Sequence, residues 1–268
     1  MDGNSRTVLA VFAHPDDESL MCGGTIARLA DAGVRVILMC GSRGEQGSTS
    51  DPSLVPDGDL GRVRVHELTD AAAVLGIAEV LALDHADGEL RWHHVAEFHA
   101  DITGAIERYR PEAIITFAEN GLYWHLDHIG VHERTFTAVQ SLGATAPPLY
   151  YVTMPQGIFR EVLEAAHAKR GAPLDSSFWG IEPEAFGETE GPVSFRIDVR
   201  PWVPRKVAAL RCHRTQMGIR NPIVWLDDEE ARRWLGVEYF RRAPLACAAT
   251  DPVLEQLGEP VATLRSWE

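Results

Sequence analysis

The sequence TVLAVFAHPDDE, residues 7–18, contains the pattern from which the fold follows. Its first seven residues, 7–13, form an apolar run that is typical of a strand buried on both faces of a sheet. Such strands belong to parallel sheets whose faces are covered by helices. The polar residues from His14 to Glu18 then lie at the carboxyl end of the strand, where the chemistry of open α/β sheets is concentrated.

Apolar runs and helical patterns continue to alternate through the first 155 residues. The further predicted strands are residues 34–40, 80–84, 113–117 and 149–153. The predicted helices are residues 23–31, 62–75, 93–109 and 126–141. Because buried strands separated by helices form parallel sheets, we expect residues 1–155 to be a Rossmann-like α/β core flanked by helices.

The pattern weakens beyond residue 155. Residues 171–192 are rich in Gly, Pro and Glu and predict a long irregular segment. A strand is predicted over 194–199, with helices over 204–213 and 227–235. We therefore expect residues 156–268 to form a smaller C-terminal α+β layer that packs beside the sheet and walls a cleft, within a single domain.

Composition limits the class of protein. The chain is 45% hydrophobic and 24% charged, as expected for a globular protein rather than a disordered one. Its net charge of −14, without a basic stripe, argues against nucleic acid as a partner. No apolar run approaches the ~20 residues that span a bilayer, and the first residues do not form a secretory signal. The four scattered cysteines predict reduced thiols in a cytoplasmic protein.

Two clusters of ionisable side chains carry the chemical signal. The first is HPDDE, residues 14–18, and the second is YWHLDH, residues 123–128, which follows the predicted strand 113–117. An unpaired buried carboxylate costs several kcal/mol, so the first cluster requires a cation or many donors. Imidazole and carboxylate groups are the usual ligands of catalytic zinc. In a doubly wound sheet, both segments can open onto one crevice.

These clusters, in this order, resemble the motifs of the zinc-dependent LmbE-like, or PIG-L, deacetylases. The family includes the de-N-acetylase of glycosylphosphatidylinositol biosynthesis and the deacetylases and amidases of mycothiol and bacillithiol metabolism. The resemblance extends to GSRGEQG at 41–47, to Asp87-Gly88 and to KVAALRCHRTQ at 206–216. The sequence departs from the family at Trp124 and Leu126, where a Gly and a Pro are common.

Carried over by position, the resemblance implies that His14, Asp17 and His128 bind zinc. Two neutral imidazoles and one carboxylate would leave the site with one net positive charge, which keeps a water there acidic. Iron(II) suits the same ligands.

The resemblance further implies that Asp16 is the general base. It implies that His125 either stabilises the oxyanion or acts as an acid, and that Tyr123 adds a hydrogen bond. A simpler interpretation of the first cluster is that Asp16 or Asp17 caps a helix. Glu18 is interpreted as a structural acceptor for nearby backbone amides.

Substrate contacts are implied for Arg43, Glu45, Asp87 and His213. Arg43 and Glu45 could instead lie in a solvent-exposed linker, and His213 could be a charge at the end of a helix. His132 is a rival metal ligand, although its segment lacks the last histidine of a zincin motif.

The implied function is hydrolysis of the N-acetyl group of an N-acetylglucosamine-type sugar conjugate. Two alternatives stay open: an amidase that cleaves a larger acyl group from a thiol–sugar conjugate, and a non-catalytic sugar-binding module. A dinucleotide site is disfavoured because no GxGxxG motif is present and acidic residues occupy the place of a phosphate. A homo-oligomer is compatible with the sequence, which selects neither an oligomeric state nor an aglycone.

Overall fold

The protein is described here by a computed structural model, which covers residues 6–49, 51–170, 178, 180–188, 194–247 and 252–261. Its parallel strands are β1 (Thr7–Phe12), β2 (Arg35–Ser42), β3 (Glu79–His85), β4 (Ala113–Phe117) and β5 (Leu149–Thr153). The strands joined through antiparallel pairs are β6 (Phe195–Asp198), β7 (Val237–Arg242) and β8 (Glu259–Pro260). In the described residues they form one sheet in the order β3-β2-β1-β4-β5-β7-β6-β8.

Helices connect the strands and cover the sheet. They are α1 (Asp17–Asp31), α2 (Leu60–Leu75), α3 (Val95–Tyr109), α4 (Gly121–Trp124), α5 (Leu126–Ser141), α6 (Ile158–Arg170), α7 (Val203–Cys212) and α8 (Asp228–Leu235). One packed group contains α1, α2 and α7, and another contains α3 and α5. The predicted α/β class, with a mostly parallel sheet flanked by helices, is confirmed. Among the described helices, none combines the length and the apolar character that a membrane span needs.

The position of β1 determines where a site can form. All six of its residues are buried, and it pairs with β2 on one side and with β4 on the other. The strand order therefore reverses direction between β1 and β4, which makes this point a topological switch. Ligands of doubly wound sheets bind at the carboxyl ends of strands beside such a switch. The two ionisable clusters follow these two strands.

The structure corrects three of the sequence-based expectations. Helix α1 begins at Asp17 rather than at residue 23, so the first cluster enters its first turn. The C-terminal strands extend the same sheet through the β5–β7 pair instead of forming a layer beside it. Helix α6 and strand β7 were not predicted. Of the predicted irregular segment 171–192, only residues 178 and 180–188 are described, and the rest lies outside the described residues.

A kink divides α1 into two parts and is tied to the C-terminal strands. Cys22 has non-helical dihedrals, with φ −144° and ψ 24°. The Glu238 carboxylate on β7 accepts hydrogen bonds from the backbone N–H groups of Gly24, at 2.9 Å, and of Thr25, at 2.7 Å. Lys206 donates to the same carboxylate at 2.6 Å, and both charged side chains are buried. This ion pair caps the second part of α1 from outside the helix.

Candidate active site and metal centre

The loop after β1 brings the first cluster together. Asp16 occupies the position before α1 with φ 124° and ψ −26°, and its side chain makes no capping hydrogen bond to the described residues of the helix. The Asp17 Oδ2 atom accepts a hydrogen bond from the backbone N–H of His14 at 2.8 Å. This contact closes the turn, so that the three side chains converge at the carboxyl end of β1. The interpretation of Asp16 as a helix cap is therefore wrong.

The second cluster surrounds the start of α5. His125 is the N-cap of this helix, and its Nδ1 atom accepts a hydrogen bond from the backbone N–H of Asp127 at 3.2 Å. The Nδ1 atom of His128 lies 3.1 Å from the carbonyl oxygen of Gly121, to which it donates, and the ring stacks on Phe117. These contacts leave the Nε2 atoms of both imidazoles for other partners.

The facing nitrogens of His14 and His128 lie close together, and one oxygen of the Asp17 carboxylate is near each of them. The Nδ1 atom of His14 lies 3.3 Å from the Nε2 atom of His128 and 3.6 Å from Asp17 Oδ2. The distance between His128 Nε2 and Asp17 Oδ1 is 3.3 Å. Ligands held about 2.1 Å from a tetrahedral zinc ion are about 3.4 Å apart. The three donors therefore fit one such ion.

Carboxylates hold the outer side of the His14 ring. Its Nε2 atom lies 3.0 Å from Asp87 Oδ1 and 3.1 Å from Asp127 Oδ2. Burial lowers the pKa of His14, but the carboxylates of Asp127, Asp17 and Asp87 raise it well above its ordinary value. A histidine that donates its outer N–H to a carboxylate is typical of metal sites, because the carboxylate fixes the tautomer and the ring orientation.

In the described residues, two groupings that do not include Asp17 bring three potential ligand atoms within 4.8 Å of one another: His14 with His125 and His128, and His14 with Asp87 and Asp127. In the second grouping the carboxylates are already engaged. Asp127 accepts hydrogen bonds from backbone N–H groups of residues 88 and 90, and Asp87 accepts one from residue 46. These bonds suit groups that orient His14 better than groups that bind a metal.

The protonation state of His128 suits a metal ligand. Burial lowers the pKa of this imidazole to about 3, despite the nearby Asp17 carboxylate, which raises it. His128 is therefore neutral at ordinary pH. Metal-binding histidines must be neutral, because the ligand nitrogen has to be free of its proton.

Asp16 lies beside this centre and faces a cavity. Burial raises the pKa of its carboxyl group to about 6, while the Arg64 guanidinium, 3.3 Å away, lowers it. A carboxylate with a raised pKa is a stronger base than an exposed aspartate. Its position next to the His14–Asp17 turn makes it the candidate for moving a proton.

The cavity has a volume of about 350 Å³ and opens over His14, Asp16 and Asp17. Its polar lining residues include Gln46, Arg64, Asp87, Tyr123, His125 and Gln216. Sites for small molecules usually combine such a volume with a few convergent polar groups.

His125 and Tyr123 form one wall of the cavity. The His125 ring lies 4.9 Å from the His14 ring, and the Tyr123 ring lies 5.6 Å from the His125 ring, both edge to face. Burial lowers the pKa of His125 and raises that of Tyr123, so both side chains are neutral hydrogen-bonding groups. The neighbouring Trp124 is 70% exposed.

The loop after β2 does not present its charged residues to the cavity. The Arg43 Nη2 atom lies 2.9 Å from Asp84 Oδ2, and both side chains are exposed. Glu45 Oε1 accepts a hydrogen bond from the backbone N–H of Asp87 at 2.9 Å. Asp87 is one of the described residues that line the cavity, whereas Arg43 and Glu45 are not among them. Their contacts with Asp84 and with the Asp87 backbone engage these two side chains elsewhere, in contrast to the sequence-based expectation.

Two buried histidines lie outside the cavity. His213 is fully buried, and its Nε2 atom lies 2.9 Å from Glu18 Oε1, so it does not reach substrate as the sequence suggested. His132 donates from Nδ1 to the carbonyl oxygen of Phe117 at 2.9 Å. Its ring packs against Phe136 and Tyr151, and in the described residues no group of potential metal ligands includes it, so the rival ligand assignment is wrong.

Arg64 is a site residue that the sequence analysis missed. Its guanidinium donates to the carbonyl oxygens of Pro15, at 2.6 Å, and of Gly44, at 2.8 Å, and lines the cavity. A Cβ atom on Gly44 would lie 2.3 Å from Arg64 Nη1, so a larger residue at this position would collide with the guanidinium. The sequence did contain a sign of this role: Arg64 shares a helix face with the buried residues Leu68 and Leu75. An arginine on a buried helix face needs polar partners, so its presence there indicates such a site.

Known proteins with similar sequences identify the family of this chain. Residues 9–139 match the PIG-L family model, described as GlcNAc-PI de-N-acetylase. The 1D-myo-inositol 2-acetamido-2-deoxy-alpha-D-glucopyranoside deacetylase of Acidothermus cellulolyticus is 35% identical, with 88% of each chain covered. The enzyme of the same name from Thermobispora bispora is 33% identical, with 88% of this chain and 87% of that protein covered.

The fold is also found in solved structures. N,N'-diacetylchitobiose deacetylase of Pyrococcus horikoshii superposes with a TM-score of 0.58 at 24% identity, over 90% of this chain and 85% of that one. At this identity the likeness shows the fold alone. The family model, the sequence relatives and the shared fold together confirm the resemblance inferred from the motifs: the chain belongs to the PIG-L, or LmbE-like, family.

Proposed function

We propose that the chain is a metal-dependent deacetylase that hydrolyses the acetamide of 1D-myo-inositol 2-acetamido-2-deoxy-α-D-glucopyranoside. The products would be acetate and the free amine. Two relatives that carry this activity in their names align with 88% and 87% of their lengths. The names of these relatives and of the family model support removal of an acetyl group from a GlcNAc-type conjugate, and the relatives' names support the inositol aglycone as the finer step.

The observation that carries this proposal is the convergence of His14, Asp17 and His128 within 3.3–3.6 Å of one another beside a cavity. We assign zinc to these donors, and iron(II) suits the same set. When bound, the metal would polarise the acetamide carbonyl and make a water molecule acidic near pH 7.

Asp16 is proposed as the general base. Its carboxylate would accept a proton from the attacking water, whose oxygen forms a bond to the acetyl carbon. As the C–N bond breaks, Asp16 would return this proton to the leaving nitrogen, which becomes the amine. The Arg64 guanidinium, at 3.3 Å, holds the carboxylate in place during both transfers.

His125 and Tyr123 are proposed to stabilise the negative charge that develops on the acetyl oxygen. Because Nδ1 of His125 accepts the Asp127 N–H, the proton of the neutral ring resides on Nε2. The ring can therefore donate from Nε2 into the cavity. Tyr123 retains its phenolic proton and can donate a second hydrogen bond.

The remaining polar walls suit a neutral polyol. Arg64 and Asp87 supply a donor and an acceptor in the lining of the cavity. Gln216 lines it as well and donates from Nε2 to the carbonyl oxygen of Ser48 at 3.1 Å, which links the C-terminal half to the loop after β2. Sugar and inositol hydroxyl groups, which both donate and accept, match such a lining.

Acetate release from three substrates tests the proposal. Protein stripped with a chelator and reloaded with zinc is assayed on the GlcNAc–inositol conjugate, on free GlcNAc and on a thiol–sugar conjugate with a larger N-acyl group. We expect the highest kcat/KM on the GlcNAc–inositol conjugate. Turnover of the larger amide alone would indicate an amidase. Binding without turnover of any substrate would indicate a sugar-binding module, and either result contradicts the proposal.

A further inference from the structure

The backbone of Asp16 is held in a strained conformation. Its φ of 124° lies in a region that residues other than glycine rarely adopt. Such conformations persist only where surrounding contacts enforce them, and they are concentrated at functional sites. Here the backbone N–H of Asp16 donates to Glu18 Oε2 at 3.1 Å, and its carbonyl oxygen accepts from the backbone N–H of Leu20 at 3.0 Å. The Glu18 carboxylate is therefore one of the groups that hold this conformation.

Glu18 is itself held by a residue from the other end of the chain. The Glu18 side chain is only 1% exposed, so its carboxylate requires hydrogen-bond partners. Oε1 accepts hydrogen bonds from the Ser19 hydroxyl and from His213 Nε2–H, which lies 2.9 Å away. Oε2 remains directed at the Asp16 N–H. The position of the carboxylate thus depends on His213, 195 positions later in the chain.

His213 has the features of a residue that acts only through Glu18. It follows α7, is fully buried and is not among the described residues that line the cavity. In the described part of the chain, its Nδ1 atom has no hydrogen-bond partner. Its polar side-chain contacts there are Glu18 and, at 3.4 Å, Ser19. A buried imidazole with one carboxylate partner is placed to fix that carboxylate.

We propose that His213 and Glu18 are positioning residues that keep the Asp16 backbone in its strained conformation, so that the Asp16 carboxylate faces the cavity. The inference rests on the proposed function insofar as Asp16 is the base. It predicts that the loss of His213 impairs proton transfer while the metal donors, which are held by their own contacts, remain in place. His213 touches neither the metal centre nor the substrate and is not a catalytic residue.

Three variants of the full-length, zinc-loaded protein test this inference. His213→Met removes the donor to Glu18 at similar volume, whereas His213→Gln retains an N–H donor near the position of Nε2. Thr215→Val is the matched control, because Thr215 lies in the same segment and its buried hydroxyl donates to Glu67 instead. The measurements are kcat, KM, zinc content, melting temperature and the Asp16 φ angle in crystals of each variant.

We expect His213→Met to lower kcat by about 10²-fold, the typical effect of a displaced catalytic group, with unchanged zinc content and a small change in KM. Its Asp16 φ angle should relax to a negative value. His213→Gln should recover most of the lost kcat and the wild-type φ. Thr215→Val should lower the melting temperature without a comparable loss of kcat.

A His213→Met protein with wild-type φ at Asp16 and a kcat equal to that of Thr215→Val would overturn the inference. If His213→Met does not fold, Glu18→Gln replaces it, because the amide cannot accept both the His213 and the Asp16 N–H groups as the carboxylate does. The same φ change and loss of kcat are then expected, and their absence contradicts the inference. Because the φ angle is measured without turnover, an inactive wild-type protein would overturn the proposed function and leave this test decisive.

Discussion

The Nδ1 atom of His14 and the Nε2 atom of His128 lie 3.3 Å apart, although 114 positions separate the two residues in the chain. Each ring is held from its opposite side, His14 by the Asp127 carboxylate and His128 by the Gly121 carbonyl oxygen. The facing nitrogens are thereby directed at one point beside Asp17. Two segments that follow different strands thus supply one set of donors.

Zinc binding should depend on both segments. We expect about one zinc ion per chain in the wild-type protein, a sharp decrease in His128→Ala and loss of turnover on treatment with a chelator. His132→Ala, on the same helix but bonded to Phe117, is the control and should retain zinc. Metal content is measured by mass spectrometry after dialysis. Equal zinc in the two variants would contradict the assignment of His128.

Removal of the base should separate metal binding from turnover. Asp16→Asn removes a proton acceptor at nearly constant shape, so we expect zinc to remain and kcat to fall by about 10²- to 10⁴-fold. Asp84→Asn, which alters an exposed carboxylate paired with Arg43, serves as the control with unchanged kcat. Steady-state kinetics on the zinc-loaded proteins checks both. An Asp16→Asn enzyme with wild-type kcat would show that another group moves the proton.

Arg64, rather than Arg43, should matter for the site. Arg64→Met leaves the buried carbonyl oxygens of Pro15 and Gly44 without their donor, at a cost of about 1–3 kcal/mol for each group. We expect a lower free energy of unfolding and a lower kcat/KM. Arg43→Met loses only an exposed ion pair and should resemble the wild type. Urea unfolding and kinetics distinguish the two arginines, and the reverse ranking would contradict the structure.

The two lysines of the chain make a matched pair for stability. Lys206→Met leaves the buried Glu238 carboxylate without its counter-charge, and we expect a loss of about 3–5 kcal/mol in the free energy of unfolding. Lys169→Met removes an exposed partner of Asp227 and Glu230 and should cost less than about 1 kcal/mol. Urea denaturation measures both. Similar losses in the two variants would show that the buried pair does not stabilise the kink in α1.

Regular patterns made part of the fold predictable from the sequence. The bounds of β4, β5 and α5 agree with their apolar patterns, because these elements are long or fully buried. Strand β7, VEYFRR, was missed because its buried residues, Glu238 and Phe240, alternate with charged or partly exposed ones. The burial of Glu238 depends on Lys206 from another helix, and such a long-range pair leaves no local pattern.

Some parts of the candidate site could likewise be predicted from the sequence, and others could not. The first and second clusters are local motifs at strand ends, so their convergence could be inferred from the order of strands and helices. The direction of a loop side chain is set by tertiary packing, which is why Arg43 was expected in the cavity and Arg64 was not. The motif drew attention to His213 as a substrate-binding residue, whereas its contact with Glu18 inside the protein could be seen only in the structure.

Anomalous diffraction at the zinc edge, from crystals grown with zinc, tests the central assignment most directly. We predict a single strong peak about 2.0–2.2 Å from His14 Nδ1, from an Asp17 carboxylate oxygen and from His128 Nε2. A peak on the other side of the His14 ring, between Nε2 and the carboxylates of Asp87 and Asp127, would contradict this ligand set. The absence of any peak at the His14–His128 pair would contradict the metal centre itself.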